Sequence, residues 1–445
     1  SGQLDFDNDA GKLKEQSEQV AMAFNRYKTI QLGGVEDYQQ FHQAKNELEE
    51  RLTQLNHDLN LLLHKQSSDL KYEEWLQSHQ PFHWFAEFYE IVNDRGGFDV
   101  IIGNPPYLEN SQIIYKPMSL RTYGSGAVHS MCIERSLSIL NKQGNISMIV
   151  PLALICTQRM VIVQKLLEHN RTTWYSNFSW RPGKLFDSVN RALTIFVSNY
   201  DKNTSVYSTA YIKWQSDTRG HLFSSLFFIS WNEVRNSFWV PKLGRRLEKE
   251  ILRKVLKSDG QLSLMLLTGS SNKVYYRTTG GLYWKVFTNF PPKFYLNGQP
   301  GRSSRETHLL VRDEKSEYVA VALLSSDVFW WWYTITSSLR DLNPSDLHGF
   351  KFPKSIMVDN DVVELGKQFL TDLENNSVML TRVQKQTGET KTQSFKVALS
   401  KHIIEDIDTV LAKHYGFTPE ELDFIINYDI KYRMGKELEG DEGES

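Results

Sequence analysis

The chain has 445 residues, 40% of them hydrophobic and 23% charged, with a formal net charge of −2. That length and balance permit two or three buried cores and exclude a collagenous, mucin-like or wholly disordered chain. No run approaches ~18 uninterrupted apolar residues, no signal-peptide pattern opens the chain, and the cysteines are two, Cys132 and Cys156. The expected setting is therefore cytoplasmic, with no membrane partner, disulfide framework or cysteine-based zinc site.

From Gly11 to about His64 the sequence reads as two helices around Leu32-Gly33-Gly34-Val35. In the second, Phe41, Ala44, Leu48, Leu52, Leu55, Leu59 and Leu62 are spaced 3, 4, 4, 3, 4 and 3, a seven-residue apolar repeat. The pattern predicts a helical hairpin that acts as a packing element or a partner-binding coiled coil. An aromatic helical stretch, Trp75 to Arg95, is expected next, ending at Gly96-Gly97. Phe98-Asp99-Val100-Ile101-Ile102-Gly103 reads as a buried parallel strand. Helices over Val128–Leu140 and Arg159–His169 alternate with strands over Asn145–Val150, Thr173–Phe178 and Arg191–Ser198. Such alternation predicts a parallel α/β sheet.

After about Tyr200 the texture changes. Strands are expected over Val274–Tyr276, Tyr283–Thr288 and His308–Val311, with Gly280-Gly281 as a hairpin turn. Helices are expected over Arg245–Lys257, Tyr318–Thr336, Val362–Leu373 and Phe395–Tyr415. The Gly/Glu-rich end, 435–445, is expected to be a disordered acidic tail.

The sharpest chemical signal is Asn104-Pro105-Pro106-Tyr107, directly after the apolar strand. Ligands of α/β sheets bind beyond the carboxyl ends of strands. Two prolines fix φ and remove two backbone donors. The Asn104 amide oxygen and the Pro105 carbonyl can then accept hydrogen bonds from an amino group, with the face of Tyr107 beside them. An exocyclic amine on an aromatic base is a poor nucleophile. Two aligned acceptors draw its hydrogens out of the ring plane and free the lone pair. The plain alternative is a rigid Pro-Pro turn capping a strand.

This loop resembles that of the amino-methylating DNA methyltransferases of the adenine-N6 type. Similar stretches continue at Gly144–Pro151 and at Leu185-Phe186-Asp187-Ser188-Val189-Asn190-Arg191-Ala192. Asp327–Trp332, Leu339–Asn343, Ile407-Asp408 and Asp429–Arg433 resemble a target recognition domain. The order, catalytic loop before recognition region, is that of the gamma class, and the resemblance is to Eco57I-like enzymes, including type IIG restriction-modification proteins. It implies Asn104, Pro105, Pro106 and Tyr107 as the catalytic loop, with Tyr107 and Phe186 stacking on a base flipped from duplex DNA. Phe186 could equally be core, and Trp330–Trp332 could be helix core instead of a DNA platform. The resemblance also implies S-adenosylmethionine as cofactor. Its Gly-rich strand-to-helix loop and acidic partner are missing upstream, where only helices and Gly33-Gly34 are read. The chain is then expected to begin partway through the methyltransferase domain, so that a missing N-terminal methyltransferase half or a partner chain supplies the cofactor loop. No nuclease constellation is read.

Charge adds an independent signal. From Lys242 to Arg312, fourteen Lys/Arg stand against four Asp/Glu. Arg245, Arg246, Lys273, Arg277, Lys285, Lys293, Arg302 and Arg305 are candidate contacts to double-stranded DNA, with tyrosines interleaved. A solvated helix face plus ordinary strands is the alternative. The expected organisation is a helical hairpin or insertion over 1–74, the C-terminal part of a Rossmann-like methyltransferase sheet over 75–204, and a mixed α+β target recognition domain over 205–434. The expected function is site-specific DNA adenine-N6 methylation. A catalytically incompetent DNA-recognition module, or a methyltransferase of protein amide or rRNA amines, is the alternative.

Overall fold

The computed structural model describes residues 3–34, 37–67, 70–114, 116–117, 119–232, 238–280, 283–384 and 388–434. The expected acidic tail and Gly281 lie outside them. Two compact units interleave along the chain. One runs through Leu154 and adds Arg159–Tyr175 and Thr194–Val206, and the other takes Ile155–Gln158, Ser176–Leu193 and everything from Tyr207.

The first unit opens with α1 (Gln3–Leu32) and α2 (Tyr38–Ser67). The predicted repeat is their seam: Ala44, Leu48 and Leu55 are buried with Val20, Ala23 and Ala86, and Leu52 and Leu59 pack alongside. At the turn end, the rings of Tyr27 and Phe41 lie 5.3 Å apart. The expected helix from Trp75 to Arg95 is broken into Tyr72–His79, Trp84–Glu87 and a π turn over Glu90–Asp94. Gln80 takes φ 42° ahead of Pro81, and a proline there cannot continue the helix.

Strands β1 (Phe98–Gly103), β2 (Leu140–Pro151), β3 (Arg171–Phe178) and β4 (Leu193–Tyr200) follow. Their order across the sheet is β1-β2-β4-β3, and β1 runs parallel to β2 from Val100 opposite Asn145 to Gly103 opposite Met148. The crossovers pass through helices Val128–Ile139 and Val161–Glu168. Ile133, Ile146, Val150, Val163, Leu167 and Phe196 are buried among them. One expectation is corrected here. β1 is an edge strand among the described residues, and Val100 and Ile102 are 55% and 78% exposed. An apolar run marks a strand that would be stable when covered; it does not state that the cover is present.

In the second unit, β5 (Val206–Ile212) pairs antiparallel with β6 (Ile229–Ser230). Helix Arg246–Lys257 precedes β7 (Gly260–Gln261), which pairs with β13 (Lys351–Phe352). β8 (Lys273–Arg277) lies between β9 (Phe287–Thr288) and β12 (Glu306–Leu310). A four-stranded sheet orders β11 (Gln299–Pro300), β10 (Phe294–Leu296), β15 (Gly388–Phe395) and β14 (Ser377–Gln384). The result is a mixed α/β protein. Among the described residues no helix is long and apolar enough to cross a membrane.

The predicted helix Tyr318–Thr336 is two helices, Glu314–Ser325 and Asp327–Thr336. Ser326 divides them because its Oγ accepts the amide of Phe329 and caps the second. Every residue of Asp327–Thr336 is buried, so Trp330, Trp331 and Trp332 are core. A buried ionic knot holds this helix. Asp408 accepts the amides of Asp327 (3.1 Å) and Val328 (3.3 Å). Asp327 takes Lys401 Nζ at 2.9 Å and the guanidinium of Arg433. Arg433 in turn lies 3.8 Å over the ring of Trp284. Burial and the adjacent Asp327 push the Asp408 carboxyl well above the usual carboxylate range.

Candidate active site and candidate nucleic-acid interface

β1 ends at Gly103, and the chain leaves regular structure from Asn104 to Leu108. Pro105 is buried, whereas Asn104 and Pro106 are exposed. The Asn104 side chain makes no hydrogen bond among the described residues, so its amide is available to a ligand. Tyr107 is half-buried, and its hydroxyl donates to the Ile149 carbonyl at the end of β2 (3.0 Å). The phenol end is tied down.

The far side of the loop is clamped as well. The amide of Val128 donates to Leu108 O (2.9 Å), and that of Asn110 to Gly126 O (2.8 Å). Arg159 grips Glu109 in bidentate fashion, Nη1 to Oε2 at 2.6 Å and Nη2 to Oε1 at 2.8 Å. That bond raises the Arg159 pKa. Gly126 has φ 76°, and a Cβ there would come within 3.1 Å of Arg159 Nη1. Glu109 and Arg159 escape sequence reasoning. They stand 50 positions apart, and neither belongs to a motif.

Phe186 belongs to the second unit and is 37% exposed, so the core alternative is set aside. Arg219 carries its loop, donating to the carbonyls of Lys184 (3.1 Å) and Leu185 (2.9 Å). Lys184 Nζ closes the same loop onto Asn190 Oδ1 (2.8 Å). The aromatic side chain is thereby presented by a fastened turn.

The basic candidates separate into two groups. In β8 the residues alternate: Val274 and Tyr276 are buried, while Lys273, Tyr275 and Arg277 share the opposite face. β12 places Glu306 opposite Arg277 and His308 opposite Tyr275. Arg302 reaches Glu306 (3.4 Å) and His308 Nδ1 (3.3 Å), and Arg305 donates to Thr279 (3.0 Å). Desolvation, with the neighbouring charges of Arg382 and Arg305, lowers the Arg277 pKa against the pull of Glu306. Lys273, Arg277, Arg302 and Arg305 thus gather in one region. Arg382 joins them, though no sequence pattern singles it out.

The others lie apart in the fold. Exposed Arg245 precedes helix Arg246–Lys257 with its guanidinium 5.5 Å from the Phe424 ring, and Arg246 starts that helix. Lys293 is exposed at the entry to β10, its backbone bonded to Gln393. Lys285 is half-buried: its Nζ donates to Gly280 O (2.9 Å) and sits 5.4 Å over the Tyr333 ring, and desolvation lowers its pKa to about 8.

Upstream of β1 the described residues are α1, α2 and the three short helical pieces. Gly33 and Gly34 follow the end of α1 and do not open a helix from a strand. Among the described residues upstream of β1, no strand runs into a helix through a Gly-rich loop.

Residues 6–182 match the family model described as Eco57I restriction-modification methylase. Among solved structures, the chain is similar to the Type IIL restriction-modification enzyme MmeI in complex with DNA, at 10% identity and a TM-score of 0.41, covering 75% of this chain and 57% of that one. A nuclease-deletion mutant of the Type ISP restriction-modification enzyme LlaGI in complex with a DNA substrate mimic is similar at 10% identity and a TM-score of 0.36, covering 79% and 51%. A DrdV–DNA complex is similar at 9% identity and a TM-score of 0.35, covering 77% and 56%. The chain spans about half the length of these structures. Among curated proteins none matches the chain.

Proposed function

We propose, on the match of residues 6–182 to the Eco57I restriction-modification methylase model, that the chain is the catalytic-loop and target-recognition part of a site-specific DNA adenine-N6 methyltransferase. The observation that carries this is the Asn104–Tyr107 loop at the carboxyl end of β1, with a free amide, a buried proline and an anchored aromatic ring. Asn104 Oδ1 and the Pro105 carbonyl accept the two hydrogens of the target amine. That withdraws the nitrogen lone pair from the base and leaves it free to attack. Tyr107, held by Ile149, offers its face to the base, and Phe186, exposed on its own fastened turn, is proposed separately as a base-stacking residue. Pro106 keeps the loop rigid. The base reaches the loop by flipping from the duplex.

S-adenosylmethionine, when bound, supplies the methyl group. Its pocket is proposed to come from a further methyltransferase segment or a partner chain, covering the open edge of β1. Exposed Val100 and Ile102 support that reading. Residues 205–434 are proposed as the recognition region, with Lys273, Arg277, Arg302 and Arg305 central, and Arg245, Arg246 and Lys293 outlying, against double-stranded DNA. Lys285 is placed last among them because its ammonium is already bonded to Gly280 O and set over the Tyr333 ring.

The test is Asn104→Ala in the assembled enzyme, read by base-resolved methylation and by duplex binding. Methylation is abolished and duplex affinity stays within about twofold. Retained methylation would sink the assignment. The purely helical character of the described residues upstream of β1 favours one second reading, a recognition module that binds DNA without methylating. Calorimetric titration of this chain with S-adenosylmethionine separates chain from assembly: no binding is expected, and micromolar binding overturns the externally supplied pocket.

A further inference from the structure

We infer that His308 reads a base edge of duplex DNA, presenting Nε2–H as a fixed donor to guanine in the major groove. The inference rests on the DNA reading above and deepens it by naming a residue that sets the recognised sequence. His308 lies on β12, at the edge of the sheet β12-β8-β9. The register places Glu306 opposite Arg277, His308 opposite Tyr275 and Leu310 opposite Lys273. Directly opposed residues share a face, and so do alternate residues of one strand. All six therefore stand on one face of the sheet, with buried Val274, Tyr276 and Leu309 on the other.

An arginine fixes where the ring proton of His308 sits. Arg302 Nη2 donates to His308 Nδ1 at 3.3 Å. A guanidinium has donors only, so Nδ1 is the acceptor and the proton is on Nε2. Desolvation and the charges of Lys273 and Arg302 lower the His308 pKa, which keeps the ring in this neutral form. Arg302 is itself held, its Nε 3.4 Å from Oε1 of Glu306, whose side chain is 4% exposed. Beside the imidazole, the Tyr275 ring lies at 5.6 Å between centroids, tilted by 49°. Proton position and ring packing are thus set before any ligand arrives.

The outward groups of this face are unengaged. His308 Nε2, the Tyr275 hydroxyl, Lys273 Nζ and the Arg277 guanidinium make no hydrogen bond among the described residues. The acid of the face, Glu306, is buried and taken up by Arg302. Donors and positive charge, with the acid covered, select an anionic partner rich in acceptors. Spacing selects the groove. Lys273 and Arg277 are four residues apart, about 13 Å along the strand, with Tyr275 and His308 midway. That span matches the ~12 Å major groove and not the ~6 Å minor groove, so the two cations meet phosphates while His308 faces base edges. Guanine alone presents two acceptors there, N7 and O6, and so can take Nε2–H and the Tyr275 hydroxyl together.

The experiment incubates the full chain with duplexes carrying a randomised central tract and sequences those retained, alongside anisotropy titrations over a range of salt. The wild type is expected to prefer guanine about tenfold at one position. His308→Phe keeps a ring against Tyr275 but has no donor. It is expected to lose that preference and to leave the log–log salt slope unchanged. Lys273→Ala/Arg277→Ala is expected to do the reverse, flattening the slope by about two, one per phosphate, with the guanine preference kept. Arg302→Met frees the tautomer, so Nε2 can also accept, and the same position should now admit adenine or cytosine, which present an amino donor. If the wild type selects a sequence and His308→Phe selects it equally well, His308 is not the reader and the DNA reading stands. If the wild type binds duplex without selecting any sequence, the inference is overturned and duplex binding alone survives. If it binds no duplex even at low salt, both fall.

Discussion

Arg433→Ala tests how the second unit is held together. Arg433 is 1% exposed, its guanidinium paired with Asp327 and lying 3.8 Å over the Trp284 ring and 5.4 Å from that of Trp330. Its carbonyl also takes Trp284 Nε1 at 3.1 Å. Asp327 is fully buried and would keep Lys401, at 2.9 Å, as its cationic partner. Removing one partner of a buried ion pair costs roughly 3–5 kcal/mol. The surviving lysine offsets part of that, while the lost cation–π contact adds about 1–2 kcal/mol. The two effects share partners and do not add fully, so a loss of about 4 kcal/mol is expected. Arg433→Lys keeps the charge but not the planar face between the indoles, and should lose about half as much. Urea unfolding followed by tryptophan fluorescence is the assay. With a slope of about 2–3 kcal/mol/M, the alanine variant's midpoint falls by about 1.5–2 M. A loss under about 1 kcal/mol, or equal losses for the two variants, would refute the reasoning.

Three further outcomes are expected. Burial raises the Glu248 pKa to about 7, against amides of Gly244 and Arg245 and the indole of Trp331. The folded state therefore holds the proton more tightly than the unfolded one. Stability from this group is fullest below about pH 4.5 and declines as pH rises to about 7, by roughly 3 kcal/mol. Glu248→Gln should become relatively more stable across that window, and a pH-independent difference from wild type would count against it. Tyr107→Phe loses the bond to Ile149, about 1 kcal/mol of stability, and keeps methylation, whereas Tyr107→Ala loses about 1–3 kcal/mol of base stacking, read as a 10- to 100-fold drop in kcat/KM. Equal activity of the two would remove the ring from the mechanism. Glu109→Gln breaks a clamp between half-exposed groups, so stability should move by about 0.5 kcal/mol or less while methylation falls severalfold. Methylation that tracks stability alone would mean that Glu109 does not position the loop.

What could be read from the chain in advance follows how local each cause is. The seam of α2 was written in its 3–4 spacing, and Ala44, Leu48 and Leu55 fill it. The strand before Asn104 was legible as apolar, but its place at an edge was not, because apolarity says nothing about which neighbours are supplied. The strand expected over Tyr283–Thr288 shrinks to Phe287–Thr288. Tyr283 instead stacks on Tyr432 at 5.9 Å, and Trp284 reaches Arg433, which draws both out of the ladder. Lys285 counted as basic surface until the fold turned its ammonium onto Gly280 and Tyr333. The Glu109–Arg159 clamp and the approach of Arg382 to Arg277 arise from pairings between distant segments, and no local pattern encodes them. The knot at Asp327 is an intermediate case. Its members Asp327, Asp408 and Arg433 all fell within stretches that looked alike to a known family, yet only the fold shows that they meet.

The bare flank of β1 also carries directional information. A strand has polarity, so a newcomer can join it in two ways that are not equivalent. Added parallel, it ends where β1 ends, and whatever loop follows it emerges beside Asn104. Added antiparallel, it turns its tail toward the opposite rim and brings its leading turn there instead. Val100 and Ile102, side chains with the same parity along the strand, reward only a register that covers both. Assembly at this flank would thus decide the address of a second loop before any residue of that loop makes a contact, and a slip of one residue would present the wrong face.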